Sequence, residues 1–134
     1  MTEIIDEDNN GTNRDSFVRA IRLFNIDEND CAFETGKLRT QLKIPVEYFF
    51  CQTKVDSYEK VPHPAPRRQY VVTLKGKLRF KVSNGDTFIL EPGIILIAED
   101  VDGDGHSWEI LDGSEWERLY IPLADGHDNQ FIRE

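Results

Sequence analysis

The stretch that most constrains the fold runs from residue 63 to residue 106, where short β-prone segments alternate with turn residues. Apolar and basic side chains alternate over residues 77–82, as they do in a strand with one buried face. Asn84-Gly85 is a strong signal for a two-residue hairpin turn. Residues 94–98 are apolar throughout, which is typical of a strand buried on both faces. The stretch therefore predicts several short strands joined by tight turns.

The segments on either side continue the β pattern. Residues 17–24 have the composition of a short helix or of a strand, and we expect a strand because turn residues and a second β-prone segment follow. Residues 38–44 alternate, residues 46–53 are strongly β-prone, and Pro45 separates the two. Residues 108–111 and 116–123, with Asp112-Gly113 after the first of them, complete the series. Since no segment has a long helical period, we predict an all-β sandwich or barrel.

The length of 134 residues, with no linker-like segment, indicates one domain. We expect a flexible acidic arm over residues 1–15, a single β domain over residues 16–124 and a C-terminal tail over residues 125–134. The net charge of −9 would repel phosphate backbones and anionic lipid. We therefore expect a small-molecule ligand, and neither a nucleic-acid nor a membrane partner.

The cysteines and the first residues bear on localisation. The two cysteines, Cys31 and Cys51, form neither a C-x-x-C pair nor a disulfide framework. The N-terminal sequence lacks the basic and apolar segments of a secretory signal, and no apolar run approaches the roughly 18 residues of a membrane span. We expect buried thiols and a cytoplasmic protein.

Two histidines, His63 and His106, stand at the ends of the central stretch, and a closed sheet would bring them together. The first is followed by Ala65, Gln69 and Gly76 at the spacing of H-x-H-x3-E-x6-G. This is the latter part of the first motif of the cupin superfamily, which the chain resembles. The second cupin motif is matched more loosely by the residues that lead to His106. The resemblance implies a double-stranded β-helix, that is, a jelly-roll barrel.

Two longer segments narrow this resemblance. Residues 68–76 read RQYVVTLKG and residues 96–106 read LIAEDVDGDGH, and both are similar to a group of small single-domain cupins. The similarity covers roughly residues 15–124 and implies the fold, but not the reaction, because cupins host oxygenases, isomerases, lyases and plain binding proteins. Cupins commonly pair by strand exchange, so the resemblance also implies a homodimer to which residues 16–44 contribute.

The resemblance further implies a metal site on His63, Gln69 and His106. A typical cupin uses two histidines and a glutamate of the first motif with a histidine of the second, but here Ala65 replaces one histidine and Gln69 replaces the glutamate. Alanine supplies no ligand and the glutamine amide is neutral. The site would therefore hold a divalent ion, such as Fe, Mn, Ni or Zn, only weakly.

Other candidate site residues follow from strand alternation and charge. Gln69 and Thr73 share the strand face that we assign to the cavity, and Trp108 would share a face with His106. Either Arg67 or Arg68 would pair with a substrate carboxylate or phosphate if it points inward. We expect the substrate-binding residues to be Arg68, Gln69, Thr73 and Trp108.

Three functions stay open on this basis. The first is a metal-dependent enzyme of the oxygenase, isomerase or lyase type. The second is a metal-free isomerase in which His63 or His106 acts as general acid or base. The third is a ligand-binding or structural barrel without chemistry. Glu99 and Asp100, at the end of a buried segment, are candidate acceptors for an imidazole N–H.

Overall fold

A computed structural model describes residues 16–56, 59 and 61–134, so the expected arm at residues 1–15 lies outside the described part. Eight strands are present: β1 (Phe17–Asn25), β2 (Cys31–Arg39), β3 (Phe50–Gln52), β4 (Gln69–Val82), β5 (Thr87–Leu90), β6 (Ile94–Ala98), β7 (His106–Pro122) and β8 (Phe131–Arg133). Within the described residues, no helix has the length and apolar character that crossing a membrane requires. The predicted all-β class is confirmed.

The strands form one mixed sheet in the order β3-β7-β4-β6-β1-β2-β8, and β5 pairs with β4. β1 and β6 are parallel, whereas the other neighbours are antiparallel. Among the described strands the sheet does not close, because β3 and β8 remain as edges. The arrangement fits a β-sandwich, in which opposite parts of the sheet pack across a shared core.

The two longest strands, β4 and β7, pair along most of their length and bend together. Their register shifts between Thr73 and Leu78, and Gly76 within this interval has a φ of +129°. Such bulges increase the local twist and bend a strand. The bent pair brings side chains from both ends of β4 and β7 to one core, together with β1, β5 and β6.

The alternation predicted for the second half of β4 is confirmed. Leu78, Phe80 and Val82 are at most 1% exposed, whereas Lys77 and Lys81 between them are exposed. The predicted hairpin is also present, but its loop has three residues, Ser83-Asn84-Gly85, rather than two, because the Val82 N–H donates to the Asp86 carbonyl at 3.0 Å. Residues 94–98 form β6, which lies between β4 and β1 as a buried segment should.

Residues 17–24 lie within β1, as we expected, but two other strand predictions were wrong in extent. The strand predicted at residues 38–44 ends at Arg39, because Gln41 adopts a φ of +72° and cannot continue an extended strand. Of residues 46–53, only Phe50–Gln52 pair with a neighbour in a strand. In the expected C-terminal tail, Phe131–Arg133 form β8 on the edge of β2.

The segment expected to contribute to a homodimer pairs within its own chain. β1 pairs with β2 and β6, and β2 also pairs with β8. A small apolar cluster that includes Tyr70, Ile97 and Leu123 covers the outer face of this region, and Phe131 packs against it. The homodimer stays a prediction, which light scattering would test.

Candidate functional site

The two histidines at the ends of the central stretch lie side by side. His106 is the first residue of β7, and His63 pairs with it in an isolated antiparallel bridge. Each backbone N–H donates to the carbonyl of the other residue at 3.0 Å. The ring centroids are 5.1 Å apart. The chain therefore brings both imidazoles to one place, although the described strands do not close into a barrel.

The glycine-rich loop before His106 makes this approach possible. Gly105 has a φ of +70°, and a Cβ at this position would collide with the His63 carbonyl and the Pro64 nitrogen. Gly103 has a φ of +76° and lies equally close to the Asn29 backbone. Only glycine combines such a φ with such a close backbone contact at low cost. The loop is thus a close-packed connection that holds His106 against His63.

A buried carboxylate orients the His106 ring. His106 Nδ1–H donates to Asp100 Oδ2 at 2.6 Å, and the Asp100 side chain is fully buried. Because a carboxylate only accepts hydrogen bonds, the hydrogen of the neutral ring lies on Nδ1 and the lone pair on Nε2. Asp100 Oδ1 has no hydrogen-bond partner among the described residues. Of the two candidate acceptors, Asp100 therefore has the predicted contact.

The His63 ring is oriented in the same sense. Its Nδ1–H donates to the Val61 carbonyl at 2.9 Å, which assigns the lone pair of the neutral ring to Nε2. The two imidazoles thus have the same tautomer. One is held by a buried carboxylate, the other by a backbone carbonyl.

Both rings line a cavity with a volume of about 650 Å³. This is a usual size for a small-molecule site. Phe80 stacks against His106 with ring centroids 5.6 Å apart, and Trp108 contacts Trp116 edge-on at 5.0 Å. The aromatic side chains in its wall are Phe50, Phe80, Trp108, Trp116 and Tyr120. Aromatic rings therefore form a substantial part of the wall beside the two imidazoles, and charged, polar and aliphatic side chains form the rest.

A buried arginine, Arg118, lies in the same wall and is 1% exposed. Its Nε donates to the Tyr120 hydroxyl at 3.0 Å, and its Nη1 donates to the Lys54 and Trp116 carbonyls. Its Nη2 pairs with Glu59 Oε2 at 3.2 Å. These partners hold the guanidinium in one orientation and compensate for the burial of its charge.

The two arginines that precede β4 point to different places. Arg67 lines the cavity, and its Nη1 donates to Gln69 Oε1 at 3.0 Å. Arg68 lies outside the cavity, where its Nη2 is 2.6 Å from Glu99 Oε2. Both arginines lie in the bend that precedes β4, and the bend directs Arg67 towards Gln69 and Arg68 towards Glu99. The structure thus places Arg67, rather than Arg68, where it can meet a ligand.

The other predicted substrate-binding residues divide in the same way. Gln69 and Trp108 both line the cavity. Thr73 is buried behind the wall, where its hydroxyl accepts a hydrogen bond from Trp116 Nε1 at 3.1 Å. Thr73 therefore supports the position of a wall residue.

The side chains fit only part of the metal site that the resemblance implies. The His63 and His106 rings lie side by side with centroids 5.1 Å apart, but Ala65 in the same wall has no donor atom. Gln69 Oε1 already accepts a hydrogen bond from the Arg67 guanidinium, whose positive charge disfavours a cation at the same oxygen. The described residues contain no group of three or more His, Cys, Asp or Glu side chains arranged for a metal. The donors present match a two-imidazole site and not the three-ligand set.

Our reading of the sequence missed Arg118, although a signal for it exists. Trp116, Arg118 and Tyr120 are spaced two apart in β7 and so share one face. An arginine between two aromatic residues on the same strand face indicates a stacked or buried guanidinium. The sequence does not indicate that Arg118 lines the same cavity as His63 and His106, because Arg118 is far from His63 along the chain.

The arrangement can bind a small molecule, exchange a proton with it through imidazole and surround it with aromatic rings. The wall of the cavity also contains three basic side chains, those of Lys54, Arg67 and Arg118. Comparisons of the chain with protein-family models, with curated proteins and with solved structures found no match.

Proposed function

We propose that this protein binds a small organic molecule in the cavity and that His106 transfers a proton to or from it. The observation that carries the proposal is the 2.6 Å hydrogen bond from His106 Nδ1–H to the fully buried Asp100 carboxylate. This bond keeps the hydrogen on Nδ1, so Nε2 acts as the base. It also stabilises the imidazolium that forms when Nε2 accepts a proton.

His63 supplies a second proton-transfer group. Its ring centroid lies 5.1 Å from that of His106, and its Nδ1–H is likewise held by an oxygen acceptor. One neutral imidazole can remove a proton at Nε2, while the other, if it enters the reaction as an imidazolium, returns one from its Nε2 at a neighbouring atom, and exchange with solvent then restores both rings. This division of labour suits an isomerase or a lyase acting next to a carbonyl group.

The wall of the cavity favours such chemistry. The aromatic rings lower the polarity beside the imidazoles, and electrostatic interactions are stronger where the dielectric is low. Arg118 places a fixed positive charge in this wall, which would stabilise negative charge that develops on the ligand during proton removal.

Solvent deuterium exchange tests the proposal without knowledge of the product. The protein in D2O is incubated with a panel of small keto acids, hydroxy acids and sugars, and loss of C–H signals is followed by proton NMR. We expect exchange at a carbon next to a carbonyl group for at least one member of the panel. His106→Gln should abolish it, and His127→Gln is the matched control because His127 is exposed and outside the cavity. Binding without exchange across the panel would instead indicate a non-catalytic ligand-binding protein.

A weak divalent-metal site is the second candidate. Each imidazole has its Nδ1–H bound to an oxygen acceptor, an arrangement typical of metal-ligating histidines. His63 and His106 would hold the ion, which would polarise a carbonyl or carboxylate oxygen of the ligand. Elemental analysis of protein purified without a tag or chelator tests this. Stoichiometric metal that is lost in a His63→Ala/His106→Ala variant would favour it over the metal-free mechanism.

We also propose that the sheet is a small jelly roll of the cupin kind. The support is that His63, Gln69 and His106, which occupy the cupin motif positions, all line one cavity. An experimental structure with Greek-key connections between two facing sheets would bear this out. A different connectivity would remove the family assignment while leaving the cavity as described.

A further inference from the structure

We propose that the ligand of this cavity is a small aromatic carboxylate whose anionic group binds to Arg67. The proposal rests on the proposed function only in that the cavity takes a ligand. It adds the chemical class of that ligand and the residue that selects it. It requires neither proton transfer nor a metal.

The first support is the unusual position of the Arg67 charge. Five other arginines pair with carboxylates: Arg22, Arg68, Arg79, Arg118 and Arg133. Arg67 makes no ion pair with any described residue, although the chain has 25 acidic side chains. A guanidinium that faces a cavity and forms no ion pair with a described carboxylate is placed to receive a carboxylate from a ligand.

The second support is that the Arg67 guanidinium is already oriented. Its Nη1 donates to Gln69 Oε1 at 3.0 Å, and its central carbon is 5.9 Å from the centre of the Phe50 ring. Gln69 is 4% exposed, so this contact fixes one end of the guanidinium against a buried side chain. The remaining N–H groups can bind a carboxylate in the bidentate geometry that arginine favours. Gln69 thus acts as a positioning residue for Arg67.

The third support is the charge balance of the cavity. The other basic side chains in its wall are Lys54 and Arg118, and the acidic ones are Asp56 and Glu59. Glu59 pairs with Arg118, so these two charges compensate each other. The other charged side chains in the wall are those of Lys54, Arg67 and Asp56, which are all exposed. The wall therefore carries a small excess of positive charge in a chain whose net charge is −9. This local excess favours an anion over a neutral or cationic ligand.

The fourth support concerns the body of the ligand. Beyond Arg67 the wall includes several aromatic rings, with Trp108 and Trp116 in an edge-on pair and Phe80 stacked against His106. Flat rings bind well in offset-stacked or edge-on contact with such a wall. A planar ring with one carboxylate therefore matches both the apolar part and the basic part of the cavity.

The two tryptophans of the chain make the test direct, because both line the cavity and their fluorescence will report a bound ring. The probes are benzoate, its neutral analogue benzamide and the cation benzylamine, titrated against the full chain. We expect benzoate to bind about tenfold or more tighter than benzamide, since a charge-assisted hydrogen bond is lost in the amide. Benzylamine should bind most weakly.

Two neighbouring substitutions separate the role of Arg67 from a general effect of charge. Arg67→Gln should reduce benzoate affinity to that of benzamide and leave benzamide affinity unchanged. Arg68→Gln is the matched control, since it removes the same charge one residue away but outside the cavity. It should retain the preference for benzoate.

The outcomes distinguish this inference from the proposed function. If benzamide binds as tightly as benzoate, or if Arg67→Gln keeps the preference, the carboxylate site at Arg67 is overturned while the cavity remains a ligand site. If none of the three probes changes the tryptophan fluorescence or gives heat in calorimetry, the aromatic carboxylate is overturned. Deuterium exchange with the wider panel then decides separately whether the cavity performs proton transfer.

Discussion

Glu99 and Asp100 are consecutive acidic residues after β6, yet they serve opposite faces of the sheet. Glu99 faces outward and accepts hydrogen bonds from Arg22, Arg68 and Asn129 at 2.5 to 2.8 Å. Asp100 faces inward and accepts one, from His106, while its Oδ1 has no hydrogen-bond partner among the described residues. Both carboxylate oxygens of Glu99 accept hydrogen bonds, whereas only Oδ2 of Asp100 does so.

This difference indicates two roles for buried acidic side chains in one small sheet. Burial raises the pKa of Glu99, but the hydrogen bonds from Arg22 and Arg68 outweigh burial, so the pKa lies below its ordinary value of 4.5. Through Arg22 and Asn129, Glu99 connects β1 and the C-terminal segment on the outer face of the sheet. Asp100 instead orients one imidazole at the cavity, which is a task for a residue with a single directed contact.

The largest effect on stability is expected at Gly105, which lies in close contact with the His63 backbone at the cavity. Gly105→Ala should destabilise the fold by about 3 kcal/mol or more, because the new methyl group meets the His63 backbone and the φ is unfavourable. Gly113→Ala is the matched control, with a φ of +83° but open space around it, and should cost about 1 kcal/mol. Denaturant unfolding measures both. Equal costs would show that the loop yields easily and that His63 is not held by it.

The outer cluster gives the next largest effect. Glu99→Gln should cost about 2 kcal/mol, because it removes the charge that Arg22 and Arg68 share in a largely buried place. Glu109→Gln is the control, since Glu109 pairs with Arg79 at 3.7 Å on the exposed surface and should change stability by less than about 0.5 kcal/mol. A similar small change for both would mean that the outer cluster does not stabilise the fold.

The Glu99 contribution should also depend on pH. Because the pKa of Glu99 is lowered on folding, its stabilisation is complete above the unfolded value of 4.5 and is lost as pH falls through the folded value. The difference in unfolding free energy between the wild type and Glu99→Gln should therefore shrink as pH falls below 4.5. A difference that stays constant down to pH 3 would contradict this.

A smaller effect is expected at Tyr70, which donates its hydroxyl to the Asn129 carbonyl at 2.8 Å. Tyr70→Phe should cost about 1 kcal/mol at neutral pH. Burial and the nearby Glu99 and Asp128 charges raise the pKa of Tyr70 to about 12. Its contribution is therefore complete below pH 10 and is lost as pH rises towards 12. Tyr48→Phe, at an exposed tyrosine, is the control and should have no effect at either pH.

A change of similar size, about 1 kcal/mol, is expected for Asp100→Asn, because the amide oxygen can still accept from His106 but the NH2 group takes the place of the unpartnered oxygen and brings buried donors. Proton exchange in the deuterium assay should nevertheless fall by about a hundredfold. Nitrogen NMR of the imidazole would show whether the hydrogen stays on Nδ1. A large loss of stability without loss of exchange would show that Asp100, like Glu99, stabilises the fold and does not act through His106.

Strand alternation placed Gln69 on the cavity face, where it lies in the structure. It could not separate Arg67 from Arg68, because both lie in the bend before β4 and not in a strand. Local patterns failed at residues 38–44, where the alternation continues but the strand does not. Thr40 bonds back to the Ser16 carbonyl and Gln41 adopts a left-handed φ, and both depend on where β1 lies.

The sequence by itself determined the all-β class, the hairpin at Asn84-Gly85 and the inward face of β4, because these depend on residues a few positions apart. Only the tertiary structure decided that Asp100 holds His106, that Arg118 is buried beside Tyr120 and that the sheet leaves β3 and β8 as edges. Such contacts depend on the order and bend of the strands. Strand order is set by the packing of the whole core, so a local sequence pattern does not predict it.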